Sequence, residues 1–124
     1  MPKRLAPPKA RIQAPAPQGD SQGAAARKAL WASVTEKQWQ KDVRDAALVY
    51  GWLFFHHWTS MHSADGFPDC VMLRGNRLVV AELKREGREP TEAQLRWLQA
   101  FRESGAEAYV WRPSDTEWMH EALK

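Results

Sequence analysis

The chain has 124 residues, a formal net charge of +3 and one cysteine, with 44% hydrophobic and 27% charged residues. This length holds one globular domain and little more. A single cysteine excludes an internal disulfide and is typical of a reducing cytoplasm. No apolar run reaches the roughly 18 residues of a membrane span, and no apolar segment follows the basic N-terminus as in a secretory signal. We therefore expect a cytoplasmic protein that has no contact with a membrane.

The basic character of the chain is concentrated in residues 1–30. This segment has six Lys or Arg and one acid, a net charge of +5, whereas residues 31–124 have twelve and fourteen, a net charge of −2. Five of the eight prolines also lie in residues 1–30. We expect this segment to be a disordered, basic, Pro/Ala-rich tail, followed by one folded domain over 31–124. The tail either keeps the protein soluble or attracts nucleic-acid phosphates, and its composition favours neither.

The folded part is predicted to begin with a helix. Ser33-Val34-Thr35-Glu36 is a capping-box pattern, and apolar residues at Trp39, Val43 and Ala47 continue the helical spacing up to Gly51. At about 100° per residue, Glu36 falls in the middle of this apolar stripe. Its carboxylate is therefore expected to face inward, although a Glu in a first turn also serves the cap and the helix dipole.

A strand over 51–58, a polar loop over 59–68 and a β-hairpin are predicted next. The hairpin turns at Gly75-Asn76, and a two-residue turn pairs Arg74 with Arg77. Continuing the same register places Asp69 directly opposite Glu82.

The open end of this hairpin collects two carboxylates and one ammonium group. Opposed side chains on a ladder lie about 4.5 to 5.5 Å apart, so Asp69 and Glu82 repel each other unless a cation lies between them. Lys84 shares the face of Glu82 because strand side chains alternate. The three could instead be charges on a solvated strand. Both hairpin faces are otherwise apolar, which favours the rim of a core and makes Cys70 a core residue rather than a nucleophile.

The rest of the pattern completes an α/β fold. A capping box at residues 91–94 opens a second helix that ends at Gly105, followed by a short strand over 106–111 and a terminal helix over 116–123. The order helix, three strands, helix, strand, helix is typical of a mixed sheet flanked by helices.

Four segments in this order resemble one nuclease family. They are Gly66-Phe67-Pro68-Asp69, Glu82-Leu83-Lys84, Gln94-Leu95-Arg96-Trp97 and Gly105-Ala106. The chain from about residue 35 to residue 124 resembles the virus-type replication-repair nuclease (VRR-NUC) family of the PD-(D/E)XK superfamily. The resemblance implies a restriction-endonuclease-like αβββαβ core, and a bacterial host cell with a phage or prophage as one source of the gene.

The resemblance also implies roles for single residues. Lys84 matches the catalytic lysine of the family, and Gln94 matches a glutamine beside the metal site, a role compatible with its capping box with Thr91. The matched metal ligands are Glu36, Asp69, Glu82 and the backbone carbonyl of Leu83.

The chemistry of phosphodiester hydrolysis explains these residue types. Carboxylates are ligands that Mg²⁺ prefers, so we expect Mg²⁺ as the cofactor, with Mn²⁺ as a substitute. The ion neutralises the phosphate and activates water. Lys84 would orient or help to deprotonate the attacking water and stabilise the developing charge.

Further residues are candidates for contact with DNA, which is the expected partner. The arginines could form a phosphate-contacting rim or a solvated face, and histidines in such positions are more often ordinary packing or solvated residues. The candidates are Arg74, Arg85, Arg88, His57 and His62.

Two classes of function follow. The first is a metal-dependent endonuclease that hydrolyses DNA phosphodiester bonds, above all in branched or structured DNA, as a Holliday-junction resolvase does in replication, recombination or repair. Within this class, a restriction-type endonuclease is the alternative. The second class is a non-catalytic DNA-binding accessory protein. The intact acidic set favours the enzyme, because an inactive descendant has no reason to keep acids that repel each other.

We also expect a homodimer. A four-way junction has paired strands, and one site of this size cuts only one of them. Four tryptophans are expected to exceed what the core hides and to supply an interface, although they could simply pack inside. These are Trp52, Trp58, Trp111 and Trp118.

Overall fold

The computed structural model describes residues 11–14, 23–57 and 64–124. Its elements are α1 (Ala24–Ser33), α2 (Glu36–Val49), β1 (Leu53–His56), β2 (Cys70–Arg74), β3 (Arg77–Leu83), α3 (Glu92–Glu103), β4 (Glu107–Trp111) and α4 (Thr116–Leu123). A single 3-10 turn, Pro113–Asp115, precedes α4. From α2 onwards, this is the order predicted from the sequence. None of the described helices has the length and apolar character needed to cross a membrane.

The four strands form one mixed sheet in the order β1-β2-β3-β4. The β1/β2 and β2/β3 pairs are antiparallel, whereas β3 and β4 are parallel because α3 carries the chain back between them. The two-residue hairpin turn is confirmed, since Arg74 pairs with Arg77 and Cys70 with Ala81. The predicted α/β class, a mixed sheet flanked by helices, is confirmed as well.

Each face of the sheet has its own apolar cluster. On one face, α2 and α4 pack against the strands, with Trp39, Met72 and Trp111 fully or almost fully buried. On the other face, Leu98 of α3 packs against Val80 and its neighbours on β4. The hairpin is therefore apolar on both sides because it lies between two helical layers.

The described tryptophans among those expected at an interface pack within the chain instead. Trp52 and Trp111 are buried, and the indole Nε1 of Trp52 donates a hydrogen bond of 2.8 Å to the Leu123 carbonyl. Trp118 is half-buried and packs edge-on against Tyr109, with 5.3 Å between ring centroids. For these three rings the expectation that they exceed the core is wrong, because α4 packs on the sheet, forms one cluster with Trp52 and Trp111, and itself carries Trp118. Trp58 lies outside the described residues.

The N-terminal boundary also differs from the prediction. Helix α1 lies mostly within the segment expected to be disordered. Residues 11–14 lie beside β4, where the Val110 N–H donates to the Ile12 carbonyl over 2.7 Å and Ile12 packs against the Leu98 cluster. Residues 11–14 and 24–30 therefore have a described conformation within the segment that was expected to be a disordered tail. Helix α1 has no buried residue, so its alanine-rich propensity was its only signal.

Gly66 allows the loop before β2 to touch the start of α3. Its φ is +86°, and a Cβ at this position would lie 2.5 Å from the backbone carbonyl carbon of Ala93. The Trp97 indole Nε1 donates a hydrogen bond of 3.0 Å to the Asp65 carbonyl beside it. The loop is thus held against α3 immediately before Asp69.

We expect Gly66→Ala to lower the free energy of unfolding by about 3 kcal/mol or more, because the left-handed backbone and a clash with helix backbone act together. Gly87→Ala is the matched control, since Gly87 has a φ of +78° but no heavy atom within 4 Å of an added Cβ. The control should lose only about 1 to 2 kcal/mol. Urea denaturation measures both, and equal losses would contradict the close contact.

Candidate active site

Asp69 and Glu82 lie at the open end of the β2–β3 hairpin, where the two-residue turn places them. The ladder runs as far as the Cys70–Ala81 pair, and the Leu83 N–H then donates a hydrogen bond of 2.8 Å to Asp69 Oδ2. Glu82 is 2% exposed and is the one charged residue in the buried class among those described. The carboxylates therefore occupy the edge of a core rather than a solvated strand.

Glu82 has few partners for a buried carboxylate. Its Oε1 accepts a hydrogen bond of 3.0 Å from Gln94 Nε2, and Lys84 Nζ lies 4.0 Å from the same oxygen. Its Oε2 is buried and receives no hydrogen bond from the described part of the chain. A buried, unpartnered carboxylate oxygen is costly, so this atom is suited to a cation or a proton.

Burial is the main reason why the pKa of Glu82 is raised to about 9, and the nearby charge of Asp69 raises it further, whereas Lys84 lowers it. The neighbouring Cys70 thiol is also buried, and its pKa is raised well above the usual value by burial first and then by Asp69 and Glu82. A thiol held neutral is a poor nucleophile, and the prediction of Cys70 as a core residue is confirmed.

Gln94 performs two structural tasks at once. Its backbone N–H donates to Thr91 Oγ1 over 3.1 Å, and its Oε1 accepts from the Thr91 N–H over 2.8 Å, which completes the capping box of α3. The remaining side-chain nitrogen reaches Glu82. The capping box and the position beside the acids, which the sequence analysis gave as compatible, are therefore both present.

Glu36 is placed differently from the prediction. It is exposed at the first position of α2, so the expectation that its carboxylate faces inward is wrong. Trp39, one turn later, already lies at the end of the sheet, since its Nε1 and the Lys84 N–H both donate to the Trp111 carbonyl, over 2.9 and 3.0 Å. Glu36 therefore lies one turn before the first buried residue of α2, which is Trp39.

The residues that were predicted to bind a metal are only partly brought together. Within 11–14, 23–57 and 64–124, no group of three or more His, Cys, Asp or Glu is placed so that it could hold a metal. The acids brought together are Asp69 and Glu82, while Glu36 is exposed on the neighbouring helix. The unpartnered Oε2 of Glu82 still fits a divalent cation, because Mg²⁺ commonly binds through one or two carboxylates and keeps several waters.

His57 follows β1 and lies beside Asp69. Its N–H donates a hydrogen bond of 3.0 Å to the Asp69 carbonyl, and its ring stacks on Phe67 with 5.9 Å between centroids. Phe67 in turn meets Trp97 edge-on at 5.2 Å. The sequence analysis assigned no role to Phe67, although an aromatic residue in a polar loop can indicate packing against a neighbouring element. His62 lies outside the described residues.

The three arginines occupy different places. Arg74 lies at the turn end of the hairpin, away from the acids, where its guanidinium donates to the carbonyls of Tyr50, Leu123 and Lys124. It therefore ties down the C-terminus instead of lining the acidic end. Arg85 is exposed and donates to the Ala32 carbonyl over 3.4 Å, and Arg88 is exposed as well. Contact of these arginines with DNA remains a prediction.

Comparison of the chain with protein-family models, with curated proteins and with solved structures finds no match. The fold itself defines the class as α/β, with a four-stranded mixed sheet flanked by helices.

We expect the metal-free protein to lose stability as pH rises between about 4.5 and 9. The folded state raises the pKa of Glu82, so it keeps a proton that the unfolded chain has released in this range. Glu82→Gln stays neutral, so its free energy of unfolding should rise relative to that of the wild type by about 1.4 kcal/mol per pH unit. Thermal and urea unfolding in chelator measure the difference.

Glu121→Gln, on the exposed face of α4, provides the control for this experiment and should follow the wild-type pH dependence. Parallel curves for wild type and Glu82→Gln would show that the carboxyl of Glu82 titrates normally in the fold.

Proposed function

We propose that the protein is a metal-dependent endonuclease that hydrolyses DNA phosphodiester bonds. The observation that carries this proposal is the buried Glu82, opposed to Asp69, near Lys84 and with one oxygen that no described group satisfies. Such an arrangement lowers the stability of the fold, and perturbed acids of this kind cluster at functional sites. The resemblance to the VRR-NUC family and its restriction-endonuclease-like αβββαβ core points in the same direction.

Asp69 and Glu82 would hold Mg²⁺ or Mn²⁺, with the Leu83 carbonyl and Glu36 as further ligands. The bound ion would neutralise the phosphate and lower the pKa of an attacking water. Glu82 must then lose its proton, so metal affinity is expected to increase with pH.

The remaining residues of the site would position the two carboxylates and stabilise the charge that develops on the phosphate. Lys84, 4.0 Å from Glu82, has a point charge that can stabilise the negative charge developing on the phosphate. Gln94 holds one oxygen of Glu82 and leaves the other without a hydrogen bond from the described residues, so that it could bind a cation. The Leu83 N–H fixes Asp69 in the same way.

The substrate we favour is branched or structured DNA, with a role like that of a Holliday-junction resolvase in replication, recombination or repair. A restriction-type endonuclease is the alternative within the same chemistry, and a DNA-binding accessory protein is the alternative without it. Both the substrate and a bacterial host cell, with a phage or prophage origin, rest on the family resemblance.

The decisive test is cleavage of labelled junction, flap, single-stranded and duplex DNA with Mg²⁺, Mn²⁺ or chelator. We expect Asp69→Asn to lose more than about a hundredfold in rate, since even groups that only support metal ligands contribute 10- to 100-fold. Asp42→Asn is the matched control, because Asp42 is exposed and accepts a hydrogen bond from Gln38 on the same helix. Unaltered cleavage by Asp69→Asn would remove the site assignment.

Lys84→Ala should bind metal and DNA normally and lose about a hundredfold or more in kcat, because its charge acts on the transition state. Single-turnover cleavage and DNA binding measured side by side separate the two effects. Lys124→Ala, at the exposed C-terminus, should leave both unchanged. Full turnover by the Lys84→Ala protein would make Lys84 an ordinary surface residue.

We also propose a homodimer, now supported by exposed aliphatic and aromatic residues instead of by tryptophans. Leu53, Phe55 and Leu73 are 74%, 58% and 48% exposed, and they share one face because Leu53 pairs with Leu73. Strand β1 is paired only with β2 in the described part of the chain, so its other edge is open. An isologous contact of two copies through this patch would bury it.

Light scattering should give about twice the chain mass of 14.2 kDa for the wild type. Leu53→Asp should shift the protein to the monomer mass, because a charge is costly in an apolar interface. The control is Val49→Asp, since Val49 is 82% exposed on α2, outside the patch. A monomeric wild type with and without junction DNA would remove the dimer.

A further inference from the structure

A basic cleft runs between α2 and the open edge of β1. It has a volume of about 600 Å³. One wall belongs to α2 and the other to β1, and the lining residues are Lys37, Gln40, Lys41, Arg44, Phe54, Phe55 and His56.

The cations of this cleft form a stripe along one side of α2. Lys37, Lys41 and Arg44 follow each other at helical spacing and cover about 10.5 Å of the helix axis. Lys41 is partly neutralised by Asp45, whose Oδ2 lies 2.7 Å from its Nζ. Within the described residues, no carboxylate lies at ion-pair distance from Lys37 or Arg44. The stripe therefore has an excess of positive charge.

The spacing of this charge suits a phosphate backbone. A DNA strand carries one phosphate per about 3.4 Å of helix axis, so the length of the stripe corresponds to about three phosphates. The opposite wall offers rings from Phe54 and His56, both half-buried. A positively charged groove with aromatic side chains is the usual site for a single nucleic-acid strand.

The cleft leads to the acidic end of the sheet. His56 pairs with Cys70, and the next N–H, that of His57, donates to the Asp69 carbonyl. Because α2 and β1 are joined by a short turn, they run in opposite directions, and Lys37 lies at this same end. A strand in the cleft would therefore begin beside Asp69 and continue past Lys37 toward Arg44.

We propose that the cleft between α2 and β1 binds one strand of nucleic acid through its phosphates and bases, and guides that strand from the acidic site along the edge of the sheet. The position of the strand relative to Asp69 rests on the proposed function, whereas the binding itself does not. An anionic membrane is a poorer partner, because the apolar face of α2 packs on the sheet and cannot enter a bilayer.

The test is fluorescence anisotropy with labelled oligothymidine at several salt concentrations, in chelator so that no cleavage takes place. We expect Lys37→Gln/Arg44→Gln to bind about tenfold more weakly. The slope of log affinity against log salt should become shallower by about 1.4, since each phosphate contact to a single strand contributes about 0.7. Both replaced side chains are exposed, so the thermal unfolding midpoint should not change.

The control is Arg96→Gln/Lys124→Gln, which removes the same two charges from exposed positions on α3 and the C-terminus. It should keep the wild-type affinity and slope. An unchanged slope in the cleft variant, or an equal loss in the control, would overturn the proposal. So would a loss of binding to phosphatidylserine vesicles without a loss of binding to oligothymidine.

The two proposals fail separately. A protein that binds oligothymidine through this cleft but cleaves no DNA would refute the nuclease and leave the cleft assignment intact. A protein that cleaves DNA while the cleft variant binds normally would refute the cleft assignment and leave the nuclease intact.

Discussion

The opposition of two carboxylates across the β2–β3 hairpin is the constraint on which the rest of the site depends. The turn at Gly75-Asn76 sets the register, and a slip by one residue would move Glu82 to the other face of the sheet. In the observed register, Glu82 enters a dry environment next to Asp69, which explains both its raised pKa and its unpartnered oxygen. A metal ion bound at this end, as proposed, would offset the repulsion between the two carboxylates.

Helix α3 helps to fix the orientation of the Glu82 carboxylate. Gln94, in the first turn of α3, uses its amide oxygen to close the capping box with Thr91 and its amide nitrogen to hold Glu82. The close approach of Gly66 to Ala93 fixes the same end of the helix from the other side. Stability of the helix start and orientation of the acid therefore depend on the same few atoms, so a change in one is expected to disturb the other.

The two edges of the sheet differ in what lies beside them. Beside β4, the Ile12 carbonyl accepts the Val110 N–H, so this edge is occupied by the chain itself. At β1, no strand among the described residues pairs with the outer edge, which has the apolar residues Leu53 and Phe55 on one side and the basic stripe of α2 on the other. Helix α3 packs mainly over β3 and β4, which leaves β1 available to partners. The proposed dimer and the proposed nucleic-acid strand would therefore approach the protein at neighbouring surfaces of one strand.

The sequence by itself determined the elements from α2 onwards, the hairpin register and the meeting of Asp69 with Glu82, because these depend on local capping, alternation and turn length. Only the tertiary structure decided that Glu36 is exposed, since a helical stripe shows which side a residue faces but not whether a neighbour covers it. The same reason applies to Trp52 and Trp111, which form one cluster with residues of α4, and to Ile12, which lies beside β4. Burial is a property of long-range packing, and local patterns do not contain it.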